Sequence, residues 1–409
     1  MQHLITPLLA ASAMALGAAA THADLGDQLF KLLANDGAAF DQFGNAVAIS
    51  GATAIVGAFQ DDDDNGFDSG SAYLFDTTTG AQIAKLLPDD GAAIDLFGRS
   101  VAISGATAIV GAWLDDDNGT NSGSAYLFDT TTGRQIAKLL PNDGAAGDLF
   151  GYSVAISGTT AIVGARSDDD NGDNAGSAYL FDTVTRQQIA KLLPNDGAEL
   201  DFFGISVAIS GATAIVGAPQ TFSEANGSAY LFDTATGRQI AKLLANDGAA
   251  FDNFGNSVAI SGATAIVGAF GDDDNGDGSG SAYLFDITTG RQIAKLLPDD
   301  GAADDVFGVS VAISGAAGKE TAIVGALWDD DNGDISGSAY LFDAAAPGTC
   351  PWDVNGDGVV NHHDILEVVH NLGLCDDPDN CPWDVNGDGV VDGADVAEVA
   401  THFGPCPKE

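Results

Sequence analysis

Short apolar segments separated by turns rich in glycine and aspartate recur along most of the chain. One stretch, from Asp95 to Asp129, reads "DLFGRSVAISGATAIVGAWLDDDNGTNSGSAYLFD". This copy and the residues just after it hold four apolar segments: Ser100–Ser104, Thr107–Ala112, Gly123–Asp129 and Arg134–Leu140. Their short length, their content of Val, Ile, Tyr and Phe, and the Gly, Asp and Asn that bound them predict β-strands. The Ser-Gly turn between the first two segments predicts a tight hairpin.

The copies follow one another at a nearly fixed period. Their Phe-Gly pairs begin at Phe43, Phe97, Phe150, Phe203, Phe254 and Phe307, so consecutive copies are 51 to 54 residues apart. A fixed period of about fifty residues indicates a repeat architecture. Four short antiparallel strands in each of six copies are typical of a β-propeller with six blades. A linear β-solenoid is the alternative, although four strands per period suit a blade better than a coil.

The fourth strand of each copy is offset from the other three along the chain. Six "KLL" segments begin at Lys31, Lys85, Lys138, Lys191, Lys242 and Lys295. The first precedes the first Phe-Gly pair, and none follows the last "SAYLFD", Ser338–Asp343. We therefore expect the N-terminal strand to complete the last blade and to close the ring. The recurring lysine is interpreted as protection of the outermost strand against sheet-to-sheet association.

The charge of the chain narrows the range of partners. There are 59 acidic and 14 basic residues, which give a formal net charge of −45, and only six of the acids are glutamate. Aspartate favours turns and cation-binding loops, so this bias places the charge in loops. Nucleic acid and anionic membranes are poor partners for such a chain on electrostatic grounds. Divalent cations or a salty environment fit better.

The aspartates are gathered in loops at one end of the predicted blades. The connection from the second to the third strand carries Asp-Asp-Asp-Asn in five copies, and the connection to the next blade is acidic as well. Both kinds of loop lie on one face of a propeller, so that face is expected to be strongly negative. Asp61, Asp63 and Asn65 approximate the spacing of a weak calcium site. A solvated acidic rim is the alternative, and the fourth copy, Pro219–Gly227, lacks the pattern.

The repeated residues also resemble a known family. The pattern "FGxSVAISGxTAIVGA", with one literal "FG…GAP" copy from Phe203 to Pro219, resembles the FG-GAP repeats of integrin α-subunit propellers and their bacterial relatives. The resemblance spans about residues 27–343 and implies a propeller that binds a ligand or mediates adhesion. Two features differ from the integrin pattern. The first two strands are joined by a short turn where integrin-like repeats hold calcium, and there are six copies where seven blades are usual.

Other recurring residues of the repeats have structural or functional interpretations. An aspartate stands two residues before each Phe-Gly pair, and its uniformity predicts that it fixes the turn between blades through backbone N–H groups. Aromatic residues at or near the position after "GA" are Phe59, Trp113, Phe270 and Trp328. They either stack on sugar rings or pack within the protein. The repeats contain no histidine and no cysteine, so neither a nucleophile–base pair nor a histidine–metal site can be built there.

The C-terminal region contains a duplication with the spacing of calcium-binding loops. Two copies of "CPWDVNGDGVV" begin at Cys350 and Cys381, and each supplies oxygen donors at EF-hand loop spacing around a central glycine. The predicted calcium ligands are Asp353, Asn355, Asp357, the Val359 carbonyl, Asn361 and Asp364 in the first copy, and Asp384, Asn386, Asp388, the Val390 carbonyl, Asp392 and Asp395 in the second. An aspartate replaces the usual bidentate glutamate at the end of each loop. The sequence therefore predicts two Ca²⁺ sites.

Each predicted calcium loop runs into one short helix, Asp364–Leu372 or Asp395–Phe403, with no helix before it. Two loop–helix units of this kind resemble a type I dockerin over Cys350–Cys406. The resemblance implies binding to a cohesin module, with recognition by the tenth and eleventh residues of each loop. Those residues are His362, His363, Gly393 and Ala394. Because the two copies differ there, symmetric docking in two orientations is doubtful, and metal binding by the histidine pair is an alternative.

The two ends of the chain predict export. An apolar segment near the N-terminus is typical of a secretory signal over residues 1–23, and an uncleaved membrane anchor is the alternative. No other segment is long and apolar enough to span a bilayer. All four cysteines lie beyond residue 349, which suits an exported protein with a disulfide-braced tail. Pairing within copies, Cys350–Cys375 and Cys381–Cys406, is the simplest of three connectivities.

Together these patterns predict a mainly β fold with two domains. A six-bladed β-propeller closed by the N-terminal strand would occupy residues 24–343, followed by a linker at 344–349 and a small α-helical, EF-hand-type, dockerin-like domain at 350–409. The predicted function is that of a secreted, non-catalytic binding or adhesion protein whose tail docks on a cohesin-like module or a surface protein. A glycan or a protein would bind the acidic face. The alternatives are an enzyme or component of polysaccharide degradation and a calcium-dependent, self-associating matrix protein.

Overall fold

The computed structural model describes residues 29–63, 65–220, 226–315, 320–331, 333, 335–344, 352, 354, 359–374, 383, 385 and 390–405. The predicted signal segment, the linker beyond residue 344, the four cysteines and half of the predicted calcium ligands lie outside these residues. Signal cleavage and disulfide pairing therefore stay predictions.

Within the described residues, six antiparallel sheets follow one another in chain order. Sheets 1 to 3 consist of β1 (Val47–Ser50), β2 (Thr53–Ala58), β3 (Ser71–Asp76) and β4 (Gln82–Leu86); β5 (Ser100–Ser104), β6 (Thr107–Ala112), β7 (Ser124–Asp129) and β8 (Gln135–Leu139); and β9 (Phe150–Ser157), β10 (Thr160–Ala165), β11 (Ser177–Asp182) and β12 (Gln188–Leu192). Sheets 4 to 6 consist of β13 (Ser206–Ser210), β14 (Thr213–Ala218), β15 (Ser228–Asp233) and β16 (Gln239–Leu243); β17 (Ser257–Ser261), β18 (Thr264–Ala269), β19 (Ser281–Asp286) and β20 (Arg291–Leu296); and β21 (Phe307–Ser314), β22 (Thr321–Ala326) and β23 (Ser338–Asp343). The apolar segments of the sequence are the strands, as predicted.

The Phe-Gly pair explains how neighbouring sheets are joined. The ring of Phe97 lies edge-on to Tyr126, with 5.5 Å between centroids, and Leu86 of the preceding sheet belongs to the same buried cluster. The next residue, Gly98, has a positive φ, and a Cβ there would lie 2.2 Å from the carbonyl oxygen of Ser71. Only glycine allows the two sheets to approach this closely. The phenylalanine therefore fills the interface, and the glycine sets its width.

The first strands of the sheets surround a central channel. Each first strand contacts the first strand of the next sheet, from β1 through β5, β9, β13 and β17 to β21. Residues of all six first strands line one shared cavity. The six sheets are therefore arranged like the blades of a propeller.

The seam between sheet 1 and sheet 6 differs from the other sheet interfaces. Val47 and Ile49 of sheet 1 are each 68% exposed, whereas the equivalent Val154 and Ile156 of sheet 3 are 8% and 9% exposed. Sheet 6 has three strands, and residues 29–34 form no strand. The predicted closing strand is thus not formed in this structure, and ring closure is not confirmed. It stays a prediction.

The C-terminal domain is built from two similar halves. Helix α1 (His362–His370) and helix α2 (Gly393–Thr401) each follow a two-residue strand, β24 (Val359–Val360) and β26 (Val390–Val391). Each of these strands pairs with a segment from the other half: β24 pairs with β27 (Gly404–Pro405), and β26 pairs with β25 (Gly373–Leu374). Buried valines from both halves form a small common core. The halves therefore fold as one interlocked unit.

Candidate calcium and ligand-binding sites

The aspartate that precedes each Phe-Gly pair has the structural role predicted for it. Its Oδ2 accepts a hydrogen bond from the backbone N–H three residues earlier, for example from Ala92 to Asp95 at 2.7 Å. The same bond is found in all six repeats, at Asp41, Asp95, Asp148, Asp201, Asp252 and Asp305. These carboxyls are buried, so they hold the turn between sheets.

These turn aspartates make stability depend on pH. Burial raises the pKa of Asp95 and of Asp148 to about 6 each, above the ordinary value of 3.8. A raised folded-state pKa stabilises the fold at low pH, and that contribution is lost as the pH rises from about 4 through about 6. We expect the double variant D95N/D148N to be more stable than the parent at pH 7.5, by on the order of 2 kcal/mol per site, because asparagine keeps the hydrogen bond without the charge.

Urea unfolding at pH 4.5 and pH 7.5 would measure this effect, since the advantage of the variant should shrink at the lower pH. D129N is the control, and we expect it to lower the stability at pH 7.5, because the pKa of Asp129 is lowered and not raised. Hydrogen bonds from the backbone and side chain of Thr132 lower the pKa of Asp129, which is the last residue of β7 and is partly exposed. A parent protein whose stability rises steadily from pH 4.5 to 7.5, unchanged by D95N/D148N, would contradict the prediction.

The aspartates of the Asp-Asp-Asp-Asn loops surround a lysine. In sheet 2, the ammonium of Lys138 lies 3.0 Å from Asp115, 2.6 Å from Asp117 and 2.9 Å from Asp90 of the preceding inter-sheet turn. Tyr126 donates a hydrogen bond of 2.8 Å to Asp115, which is buried. We call this arrangement the lysine–carboxylate cluster. Its lysine comes from the fourth strand, so the cluster ties the acidic loops to the outer edge of the sheet.

The lysine–carboxylate cluster recurs with small changes. The members are Lys85 with Asp36 and Asp61 in sheet 1; Lys138 with Asp90, Asp115 and Asp117 in sheet 2; Lys191 with Asp143, Asp168 and Asp170 in sheet 3; Lys242 with Asp196 in sheet 4; and Lys295 with Asp247, Asp272 and Asp274 in sheet 5. The fourth repeat lacks the Asp-Asp-Asp-Asn loop, and the part of it that the structure describes keeps only one pair. The recurring lysine, interpreted above as edge protection, is thus a counter-ion for the loops.

Protonation of the cluster follows from its geometry. Burial alone would lower the pKa of Lys138, but hydrogen bonds to Asp117, Asp90 and Asp115 raise that pKa above its ordinary value. Burial also acts to raise the pKa of Asp115, yet Lys138 and Tyr126 lower it below the ordinary range. Both partners are therefore charged at neutral pH. The sequence already held a signal for this pairing, since each complete acidic loop except the last is followed by a lysine about 23 residues later.

Of the three residues predicted as a weak calcium site, Asp61 belongs to the cluster of sheet 1, and Asp63 and Asn65 follow it in the same loop. Asp61 is buried, 2.7 Å from the ammonium of Lys85, and it accepts a hydrogen bond from Tyr73 at 2.9 Å. Asp63 accepts a bond of 2.6 Å from the backbone N–H of Asn65. A calcium ion at Asp61 would therefore compete with a resident ammonium group. The weak site stays a prediction.

The C-terminal domain brings together those predicted calcium ligands that the structure describes. Asn361 and Asp392 are the N-cap residues of α1 and α2. The backbone N–H of each cap donates 2.8 Å to the last ligand of its loop, Asp364 or Asp395, and both of these carboxyls are fully buried. The carbonyl of Val359 accepts from the Asn361 side chain at 2.9 Å. Buried carboxylates at the end of an Asp- and Asn-rich loop fit the oxygen-donor set that Ca²⁺ prefers.

The residues predicted to recognise a partner are placed alike in both halves. His362 and His363 occupy the exposed first turn of α1, and Gly393 and Ala394 occupy the exposed first turn of α2. The two imidazole rings lie 4.0 Å apart between centroids. The halves thus present two geometrically equivalent surfaces with different chemistry.

Comparison with known families agrees with this architecture. The family model for the FG-GAP repeat matches six times, at residues 27–75, 81–128, 134–181, 187–232, 238–285 and 291–342, which together make up well over half of the chain. The chain belongs to the FG-GAP repeat family. The model for the dockerin type I domain matches residues 351–404. The match boundaries place each FG-GAP repeat after the first from the fourth strand of one sheet to the third strand of the next.

The dockerin match covers both loop–helix halves and therefore includes all twelve predicted calcium ligands. Dockerin type I domains bind calcium and dock on cohesin modules, and FG-GAP repeats indicate a binding role. No curated protein matches this chain in a sequence search. Neither of the helices that the structure describes is long and apolar enough to cross a membrane.

Proposed function

We propose that this FG-GAP protein is a secreted, non-catalytic binding protein whose dockerin domain attaches it to a cohesin-like module outside the cell. The observation that carries the proposal is the union in one chain of six FG-GAP repeats and a dockerin type I domain. The propeller-like part would bind a glycan or protein ligand on its acidic face. The dockerin domain would supply attachment.

The proposed attachment requires two calcium ions. Asp353, Asn355, Asp357, Val359, Asn361 and Asp364 would hold one ion, and Asp384, Asn386, Asp388, Val390, Asp392 and Asp395 the other. Calcium would supply the positive charge that compensates the buried carboxylates of Asp364 and Asp395. Because the common core of this domain is small, its stability is expected to depend on the ions. Disulfides within each half, if formed as predicted, would add support.

The function is tested by calcium-dependent capture. We expect the full chain to bind an immobilised cohesin module in millimolar calcium and to be released by a chelator, as measured by surface plasmon resonance. The variant D364A/D395A should lose at least 100-fold in affinity, because each change removes a charged ligand from its calcium site. Its propeller transition on heating should be unchanged, which serves as the internal control. Capture that survives both the chelator and the double substitution would refute the proposed attachment.

We also infer that the ring closes through residues 29–33. Leu32 already packs beside Val56 and Tyr73 of sheet 1, as Leu86 packs on sheet 2. The exposed apolar side chains on the two sides of the seam occupy positions whose equivalents pack against each other between the other sheets. Ile323 is 44% and Leu341 is 72% exposed on sheet 6, whereas their equivalents in sheet 2 are fully buried against sheet 3. Val47 and Ile49 of sheet 1 are the surfaces that these two side chains would cover.

Electrostatics gives an independent reason for closure. Sheet 6 carries the same three carboxylates as the other clusters, Asp300, Asp329 and Asp331, but no lysine or arginine pairs with them among the described residues. The pKa of Asp331 is raised because the charges of Asp329 and Asp300 are close. Lys31 is exposed and has no ion pair within the described part of the chain. A strand at residues 29–33 in the register of the other sheets would place Lys31 opposite Tyr340, as Lys138 lies opposite Tyr126.

A further inference from the structure

The six repeats share identical segments in their first three strands, and two of the positions that vary lie at strand ends on the side of the acidic loops. The segments "VAIS", "TAIVGA" and "SAYLFD" occur unchanged in every repeat. The residue after each Phe-Gly pair varies, and so does the residue after each "TAIVGA". The first of these sets is Asn45, Arg99, Tyr152, Ile205, Asn256 and Val309, and all six line the channel. The chemistry at this end of the channel therefore differs from repeat to repeat.

Residues of the first four sheets contact one another beside the channel, and two of them, Arg99 and Tyr152, line it. The guanidinium of Arg99 lies over the rings of Phe59 and Tyr152, 5.8 Å and 5.5 Å from their centroids. The guanidinium of Arg166 lies 4.4 Å from the centroid of Tyr152 and 5.9 Å from that of Phe202. Trp113 meets Tyr152 edge-on at 5.5 Å. We call these residues the arginine–aromatic cluster: Phe59, Arg99, Trp113, Tyr152, Arg166 and Phe202.

Neither arginine of the cluster pairs with a carboxylate among the described residues, and Arg99 donates a hydrogen bond of 3.3 Å to Oδ1 of Asn45. Every ion pair found among the described residues uses a lysine, although the chain has 59 acidic residues. Nε of Arg166 and Nε1 of Trp113 are buried N–H groups without an acceptor among the described residues. Such groups cost roughly 1–3 kcal/mol each when left unpaired. The cluster therefore holds two positive charges and unused hydrogen-bond donors at the centre of an otherwise acidic face.

We propose that the arginine–aromatic cluster binds an oligosaccharide through one uronic-acid residue. Guanidinium groups pair bidentately with carboxylates, and aromatic rings offer flat apolar surfaces to a sugar ring. The channel has a volume of about 410 Å³, within the range of roughly 300–1,000 Å³ that is usual for small-ligand sites. A polyuronate is disfavoured because the Asp-Asp-Asp-Asn loops on the same face repel a chain of negative charges. A neutral sugar would leave both arginines unpaired.

The inference rests on the proposed ligand-binding role of this face and is tested on the full chain in calcium. Isothermal titration calorimetry would compare the affinity for xylotriose that carries a single glucuronic acid with the affinity for unsubstituted xylotriose. We expect binding of the acidic sugar at least tenfold tighter than binding of the neutral one. R99Q and R166Q should each weaken binding of the acidic sugar by about tenfold or more, since each removes a charged hydrogen-bond donor. R134Q, at an exposed arginine that begins the fourth-strand segment of sheet 2, is the matched control and should bind as the parent does.

Each other outcome overturns the inference. Equal affinity for the two sugars would exclude the arginine–carboxylate pairing, and no binding of either would exclude the site. Binding of triglycine in place of the acidic sugar would assign the cluster to a peptide carboxylate. Equal losses in R134Q and R99Q would show a general effect of net charge. Thermal melting of each variant reports folding separately, and capture on cohesin does not depend on the cluster, so failure here leaves the test of attachment intact.

Discussion

L341D is expected to destabilise the propeller by roughly 3 kcal/mol or more, although Leu341 is 72% exposed in the open arrangement. The reason is ring closure, which would bury this side chain against Val47 and Ile49 of sheet 1. Thermal melting and urea unfolding would measure the loss. L127D, which changes the equivalent and fully buried residue of sheet 2, is the positive control and should show a loss of similar size. If the ring stays open, L341D will melt like the parent while L127D does not.

A disulfide trap decides which strand completes sheet 6. In the variant K31C/Y340C the two sulfur atoms would stand opposite each other in the register of the other sheets, at a separation suited to a disulfide. Oxidation should give a cross-linked monomer on a non-reducing gel. A cross-linked dimer or larger species would show that strands are exchanged between copies instead. Failure to form any cross-link would contradict the proposed register.

K138M is expected to destabilise the protein by roughly 3–5 kcal/mol, because it leaves the buried carboxylate of Asp115 without its counter-ion. K242M in sheet 4 is the matched control, because the fourth repeat lacks the Asp-Asp-Asp-Asn loop. Among the described residues, Lys242 pairs only with the half-exposed Asp196, so its loss should be below about 1 kcal/mol. The difference between the two midpoints of urea unfolding measures the contribution of the acidic loop. Similar losses in both variants would contradict the role assigned to the cluster.

The double variant K138M/D115N tests the cause of this loss. Asparagine removes the buried charge while keeping a side chain that can accept the hydrogen bond from Tyr126. We expect it to recover at least half of the stability lost in K138M, since the penalty arises from an uncompensated carboxylate. No recovery would mean that the lysine acts through its aliphatic stem and not through its charge.

The lysine–carboxylate clusters change the interpretation of the acidic face. Two of the three aspartates in a complete loop, such as Asp115 and Asp117, pair with a lysine. The remaining one, Asp116, accepts a backbone hydrogen bond within the loop from Asn121. Each aspartate of the run therefore has a structural partner. The charge of the loops is partly neutralised within the protein, and two arginines beside the channel, without a carboxylate partner among the described residues, become the more distinctive feature of the face.

Much of this fold could be predicted from local sequence. Strand segments such as Thr107–Ala112 are recognisable because β-branched residues recur between Gly, Asn and Asp, and the strands match the predicted segments closely. The predicted calcium ligands of the C-terminal domain follow from fixed spacing within one loop, which is a local property of the chain. The hydrogen bond of each turn aspartate, as at Asp95, is likewise formed three residues away. Features of this kind need no information on distant neighbours.

Contacts between distant residues could not be obtained in the same way. Lys138 and Asp115 are 23 residues apart, and Asp90 is 48 residues from Lys138, so their convergence depends on how the strands of one sheet pair and on how the sheets pack. The local sequence pattern alone therefore favours protection of the outermost strand as the role of the lysine. The stacking of Arg99 between Phe59 and Tyr152 involves three sheets, and nothing in the spacing of these residues predicts it.

The sequence by itself determined the number of repeats, the strands within them, the loops that carry negative charge and the two candidate calcium loops. Each of these depends on residue type and spacing over short stretches, where backbone preference and side-chain chemistry act directly. Only the tertiary structure decided that the aspartates surround lysines and that the arginine–aromatic cluster forms beside the channel. It also showed sheet 6 with three strands and exposed apolar side chains at the seam. These features depend on packing between sheets, because proximity there is set by the whole arrangement and not by order along the chain.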